Sequence, residues 1–309
     1  MRFAKYILYL LPIIVFIVIQ TGRQMEAGKI GTKSNPVKIY FTPSVDANRI
    51  SLNAVDLIKY LEAETGYYFT SAYPASYIAV VEAFGSNKAD IAMINTFSYL
   101  MVNEMYGAEA RLRIVRDQGE TTYRGQIIVR TDSGIDSLAD LKGKSFAFVD
   151  ASSTSGYILP KSMLEKRGIT LGETVFGMRH DNVVMMVYQR QVDAGATYYS
   201  PPDRVTGQIY DARMRVEKQY PDAAKKLKIL ALTEKIPNDP FVFRKNMPEE
   251  MKKKIADALV KFVQTPIGKK AMYEISDIRG LVYTTDGDYD PLRKILKEQN
   301  LSLKNLVKK

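Results

Sequence analysis

Between positions 150 and 160 the chain reads DASSTSGYILP, placing the hydroxyls of Ser152, Ser153, Thr154 and Ser155 between an apparent strand, SFAFVD, and an apparent helix. The first turn of such a helix has backbone N–H groups with no intrahelical acceptor, and neighbouring hydroxyls can point at the same spot. Those donors match a tetrahedral oxyanion. The positive end of the helix dipole faces it, and Gly156 permits close approach. An ordinary N-cap, in which one serine or threonine caps the helix, fits the same spacing. Spacing alone leaves the two readings level.

Other chemistries find little support. The single histidine, His180, is followed directly by Asp181, and adjacent side chains do not normally form the base-and-orienter pair of a catalytic triad. No G-x-S-x-G or H-E-x-x-H motif occurs. Gly143-Lys144-Ser145 copies the end of a phosphate loop, but Leu138 stands where its first glycine belongs and the motif precedes a strand instead of following one. With one histidine, no cysteine and scattered carboxylates, no ligand spacing fits zinc or calcium, and no cofactor is expected. The absence of cysteine also excludes disulfides and a cysteine-linked lipid anchor. A formal net charge of +10 suits an anionic ligand or surface, or simply a basic solvated exterior. Basic residues are not interleaved with aromatics in any nucleic-acid module, so no nucleic-acid partner is expected.

The elements that must position these residues follow an alternating grammar. Strand VKIYF at 37–41 precedes a helical pattern at 53–65 in which Ala54, Leu57, Ile58 and Leu61 share a face and Gly66 ends the run. Then come YYFTSAY, SYIAVVEAFG and ADIAMI as strand, helix and strand. A second stretch repeats the order with SLADLKG, SFAFVD, PKSMLEKRG, NVVMMVYQRQ and DAGATYY. Such alternation points to parallel sheet covered on both faces, in two α/β units. VEAFGSNKADIAMI and MVYQRQVDAGATYY echo one another, with Asp90 and Asp193 as matching residues. Equal steps back from them reach Tyr77 and His180, each expected at a helix N-terminus. KILALTE, PNDPFVFRK and PEEMKKKIADALVKFVQ read as strand, turn plus strand, and helix.

At the N-terminus, Arg2 and Lys5 precede an uncharged run from Tyr6 to Gly22, the pattern of a secretory signal or signal-anchor. Met25-Glu26-Ala27 is a poor cleavage site, so an uncleaved tether is expected ahead of a soluble product. Residues 23–35 read as a polar linker.

Three blocks, STSGYILPKSMLEKRGI, RHDNVVMMVYQRQVDAGATYY and IPNDPFVFRKNMPEEMKKKIADAL, resemble the extracytoplasmic substrate-binding proteins of phosphonate, phosphite and phosphate ABC importers. The likeness runs through most of residues 36–270. It implies an α/β, two-lobe, type II periplasmic binding fold with an N-terminal hydrophobic helix, closing over ligand like a hinged trap. The resulting division is 1–22 as signal or anchor, 23–35 as linker, 36–122 plus 231–309 as lobe 1, and 123–230 as lobe 2. Carried over residue by residue, Ser153, Thr154 and Ser155 match the family's anion-binding S-T-S, with Gly156 beside them. Tyr77 matches the tyrosine opening the first lobe's helix, and Tyr123 a tyrosine at the start of crossing strand YRGQIIV. His180 and Asp181 match a pair whose acid can meet an aminophosphonate's ammonium, although here that acid is the shorter aspartate. After the strand the chain departs from the family with YYSPPD, where Tyr198 and Tyr199 are expected to narrow the organic end of the pocket.

A carboxylate facing an oxyanion is repulsive unless a proton or cation intervenes. Asp181 is therefore expected to meet either a ligand ammonium or a P–OH proton. The resemblance implies a monomeric, non-enzymatic binding subunit outside the cytoplasmic membrane, in the periplasm or at the cell surface. It would hand a small phosphorus oxyanion to a permease and ATPase, with membrane contact through its N-terminal segment. A sensory module using the same cleft, and an enzyme on the same fold, are the alternatives.

Overall fold

The computed structural model describes residues 28–44 and 46–298. The apolar segment 1–22, expected to be a helix, lies outside them. Among the described residues no helix is long and apolar enough to cross a membrane. Residues 28–35 do not behave as a free linker: Gly31 N donates to Asn35 O at 2.8 Å and Tyr68 N to Gly31 O at 2.9 Å. Ile30 anchors this turn by packing on the neighbouring core.

The first lobe begins with β1 (Val37–Phe41), α1 (Ala47–Thr65), β2 (Phe69–Ala72), α2 (Tyr77–Gly85), β3 (Ile91–Met93), α3 (Thr96–Tyr106) and β4 (Glu109–Val115). The chain then crosses into the second lobe with β5 (Thr122–Arg130), β6 (Phe146–Phe148), α4 (Leu159–Lys166), β7 (Thr174–Phe176), α5 (His180–Tyr188), β8 (Ala194–Tyr199), α6 (Ala223–Lys226) and β9 (Leu227–Pro237). It returns with β10 (Pro240–Phe243), α7 (Glu249–Phe262), α8 (Pro266–Ser276), β11 (Gly280–Tyr283) and α9 (Asp290–Glu298).

These strands form two sheets, ordered β11-β4-β10-β3-β1-β2 and β7-β6-β8-β5-β9. In the first, β1 lies parallel to β2 and β3; in the second, β6 lies parallel to β7 and β8. The antiparallel strands β10 and β5 join the crossing segments to these parallel sets. Because β9 stays paired with β5 through Pro237, the chain leaves the second sheet after residue 237, later than the boundary at 231 expected from sequence. The reason is length: KILALTE continues as an extended segment long enough to match all of β5. The crossings are tied together by fully buried Asn238, whose N donates to Thr121 O at 2.9 Å and whose Nδ2 donates to Ile114 O at 2.9 Å and Glu120 O at 2.8 Å.

Local chemistry accounts for the helices that matter most. α1 starts earlier than its apolar period indicated because Asp46 Oδ1 accepts from Asn48 N at 3.0 Å and Arg49 N at 3.3 Å, an N-cap. It ends at Gly66, whose φ of 73° suits a residue without a Cβ. Its buried stripe of Ile50, Ala54, Leu57 and Leu61 packs into a core with α7 and α8, each large aliphatic contributing about 1.5–3 kcal/mol on burial.

The two echoing aspartates do the same job in each lobe. Asp90 Oδ2 accepts from Lys38 N at 3.0 Å, and Asp193 Oδ2 accepts from Ser145 N at 2.9 Å. Each carboxylate binds the backbone at the start of the adjacent parallel strand.

Candidate ligand-binding site

In parallel α/β sheets, ligands collect beyond the carboxyl ends of the strands. Here those ends, in both lobes, frame one small cavity. β1 leads to Thr42 and Ser44, β3 to Asn95, β6 to the serine-rich turn and β7 to His180, while Tyr198 comes from the end of β8. The space open to the centre of a water molecule is about 30 Å³, enough for a few waters' worth of ligand.

Ser153 and Ser155 line this cavity. The turn from Thr154 to Ile158 is wound as a π-helix that runs directly into α4, with Ile158 N donating to Ser153 O at 2.9 Å. Single π-turns of this kind are frequent at functional sites. Ser152 N donates to Asp150 Oδ1 at 2.8 Å, Ser153 N to Asp150 O at 2.9 Å and Gly156 N to Ser153 Oγ at 3.1 Å. The N–H groups of Thr154 and Ser155 donate to no described residue. Ser153 is therefore both a helix cap and a cavity wall.

Thr154 is placed differently from its neighbours. Its Oγ1 donates to Asn95 Oδ1 at 3.1 Å and accepts from Phe97 N at 2.9 Å, both in the first lobe, and it does not line the cavity. It clasps the lobes together. Gly156 also lies off the cavity: an added Cβ would stand 2.4 Å from Val149 Cγ2 and 2.9 Å from Ser153 Oγ. The glycine lets the turn pack on the residue after β6.

Tyr77 and His180 are the first residues of α2 and α5 and stand on opposite lobes of the cavity. Burial drives the Tyr77 phenol pKa well up, and its hydroxyl has no partner among the described residues. Burial, with Arg215 and Arg116 nearby, pulls the His180 imidazole down from 6.5 to about 3, and its Nδ1 is likewise unpartnered. At neutral pH this is an uncharged ring.

Tyr123 lines the cavity and donates to Asp239 Oδ1 at 3.4 Å. Burial raises the Asp239 carboxyl pKa, against the pull of Arg116, whose Nη2 is 3.9 Å from Asp239 Oδ2. Arg116 donates to Ser276 O at 3.0 Å, and its guanidinium lies 5.7 Å from the Tyr123 ring and 5.8 Å from the Tyr198 ring. Tyr198 meets His180 edge-on, with centroids 5.0 Å apart.

Asp181 does not line the cavity. It is held by Arg179 at 3.2 Å, and the same guanidinium reaches Asp46 of the first lobe at 3.3 Å. Successive helix residues point about 100° apart, and here Arg179 holds Asp181 aside while His180 lines the cavity. The acids that do line the cavity are Asp239 and Asp277.

Sequence reasoning missed these acids and both arginines, Arg116 and Arg215. Asp239 sits in NDP between β9 and β10, a turn signal falling where the chain changes lobe. Arg215 belongs to a short helical turn, Ala212–Val216, in a stretch without periodicity. No sequence signal singles it out.

Residues 39–289 match the family model described as "ABC transporter, phosphonate, periplasmic substrate-binding protein". The phosphonates-binding periplasmic protein of Escherichia coli is 26% identical over 219 residues, 69% of this chain and 62% of that protein. The phosphate-import protein PhnD of Mycolicibacterium smegmatis is 24% identical over 274 residues, 82% of each. The chain thus spans less than two thirds of the first of these relatives and most of the second. Among solved structures, the binding protein component of an ABC phosphonate transporter from Pseudomonas aeruginosa superposes with a TM-score of 0.75 at 22% identity, covering 85% of this chain and 86% of that one. PhnD1 from Prochlorococcus marinus, in complex with methylphosphonate, gives 0.71 at 16% identity, covering 86% and 98%. These likenesses establish the type II periplasmic binding fold, and the extent of the family match assigns membership: the chain belongs to the periplasmic substrate-binding proteins of phosphonate ABC transporters.

Proposed function

We propose that this protein captures a small phosphorus oxyanion (phosphonate, phosphite or phosphate) between its lobes and delivers it to the permease and ATPase of an ABC importer. One observation carries the reading. Buried polar atoms without partners among the described residues, on Tyr77, Arg116, His180, Arg215 and Asp277, belong to residues lining the same small cavity as Ser153 and Ser155. Leaving such groups unpaired is costly, about 1–3 kcal/mol each, and an oxyanion that accepts from the donors and retains a proton for an acid relieves that cost.

Ser153, Ser155, Tyr77, Tyr123, His180 and Tyr198 form the binding set, joined by Arg116 and Asp239. The reading is of binding without covalent chemistry, outside the cytoplasmic membrane, with the apolar N-terminal segment as tether. A thermal-shift series with phosphite, methylphosphonate, phosphate and sulfate tests it. A ligand at 100 times its Kd stabilises the native state by about 2.7 kcal/mol. Ser153→Ala and Ser155→Ala should each reduce that response. No shift with any phosphorus oxyanion would overturn the proposal.

A further inference from the structure

An ion pair made from both lobes also lines the cavity. Asp277, in the left-handed position that ends α8 (φ 53°), comes from the first lobe; Arg215 comes from the second. Their side chains are 5% and 4% exposed. Arg215 Nη2 donates to Asp277 Oδ2, and Tyr198 joins them, its hydroxyl donating to Asp277 Oδ2 at 3.2 Å and accepting from Arg215 Nε at 3.0 Å. Each partner keeps one buried atom unpaired, Nη1 of Arg215 and Oδ1 of Asp277.

A chain of contacts links this pair to the other cavity walls. Tyr123 bears on Asp239, Arg116 lies near the rings of both Tyr123 and Tyr198, and Tyr198 bears on the pair. Arg215 and Asp277 line the same small cavity as Ser153 and Ser155, so the substituent of an oxyanion held by the serines shares that space with the pair. A ligand ammonium there needs a carboxylate free to accept it. Asp277 is already engaged by a guanidinium, which is permanently charged and repels a second cation.

We infer that Arg215 determines specificity: it occupies, against Asp277, the place that a ligand's ammonium would take, and so restricts the cavity to phosphorus oxyanions without an amine. The unpaired Nη1 and Oδ1 then offer one donor and one acceptor to the ligand, a pattern that suits an oxygen or hydroxyl and not an ammonium. The small cavity volume points the same way, since it leaves little room beyond the oxyanion itself. This inference rests on the function proposed above.

Calorimetric titration of the full chain with methylphosphonate and with 2-aminoethylphosphonate tests it. The wild type should prefer methylphosphonate by roughly 100-fold, the scale expected for one buried like-charge encounter. Arg215→Met should tighten binding of 2-aminoethylphosphonate and reduce the preference at least tenfold, because it frees Asp277 for the amine. Should that variant misfold around an unpaired aspartate, equal wild-type affinities would still overturn the inference. The double change Arg215→Met with Asp277→Leu, which replaces the pair by apolar groups, should bind the amine more weakly than Arg215→Met alone. Equal wild-type affinities, or an unchanged ratio in folded Arg215→Met, would overturn the role of Arg215 while leaving oxyanion capture intact. Failure of the wild type to bind methylphosphonate, phosphite or phosphate would overturn both.

Discussion

Replacing Gly156 by alanine tests how the serine turn is held. The new Cβ would lie 2.4 Å from Val149 Cγ2, 2.6 Å from Val149 Cβ and 2.9 Å from Ser153 Oγ, against an ordinary carbon–carbon contact of about 3.5–4 Å. Val149 is fully buried and stiff at χ1, so the relief must come from the turn. Overpacking of this kind costs about 1–3 kcal/mol. The φ of Gly156 is not positive, so no strain is added by conformation, and the lower entropy of unfolded alanine returns about 0.4–1 kcal/mol. A net loss of about 1–2 kcal/mol should appear as a lower urea midpoint at unchanged m-value. Methylphosphonate binding should weaken as well, because Ser153 and Ser155 move with the turn. Val149→Ala, destabilising by itself, should recover part of the loss in the double variant, with a coupling of at least about 0.5 kcal/mol. A Gly156→Ala protein as stable as wild type, or strictly additive effects, would refute packing as the reason for glycine here.

Thr154→Val keeps the shape of the side chain and removes both bonds to the first lobe, leaving Phe97 N without its acceptor. The penalty, about 1–3 kcal/mol, is relieved when the lobes part, so it should appear as roughly 5- to 100-fold weaker ligand binding with little change in the urea midpoint; unchanged affinity by calorimetry would contradict the clasp. His180 gives a pH signature. Its folded pKa is depressed to about 3 from 6.5, so the unfolded chain binds more protons between those values, and stability falls as pH drops through that window by up to about 1.4 kcal/mol per pH unit. His180→Asn should flatten this component in urea titrations at pH 4, 5 and 7, and an identical slope in both proteins would show that the ring is not buried neutral.

The two-lobe plan could be read from the sequence because it repeats. Local patterns encoded the helix starting at Tyr77, the helix starting at His180, and the paired Asp90 and Asp193, since each is set by residues within one α/β unit. α3 escaped notice because Thr96 to Val102 is buried on every side and carries no amphipathic period. β4 does carry a strand alternation, with Ala110, Leu112 and Ile114 buried, whereas β11, a short edge strand, gains its identity from pairing with β4. The serine turn was legible as a donor cluster, but the division of labour within it was not. Thr154 faces Asn95 and Phe97 only because the other lobe is there. Arg116, Arg215, Asp239 and Asp277 meet across long stretches of chain, and no spacing rule brings such residues together.

The aspartates Asp90 and Asp193 have a mechanical consequence. Each sits at the amino end of an interior strand, away from the carboxyl ends that frame the cavity, and ties the incoming turn to the start of a neighbouring strand, while Tyr77 or His180 stands at the cavity. Asp90 is further braced by Arg244 at 2.9 Å, and Asp193 by Ser145 Oγ at 2.8 Å. Each lobe thus fastens its strand starts on the side away from the cavity and presents one cavity-lining side chain from a helix start on the other.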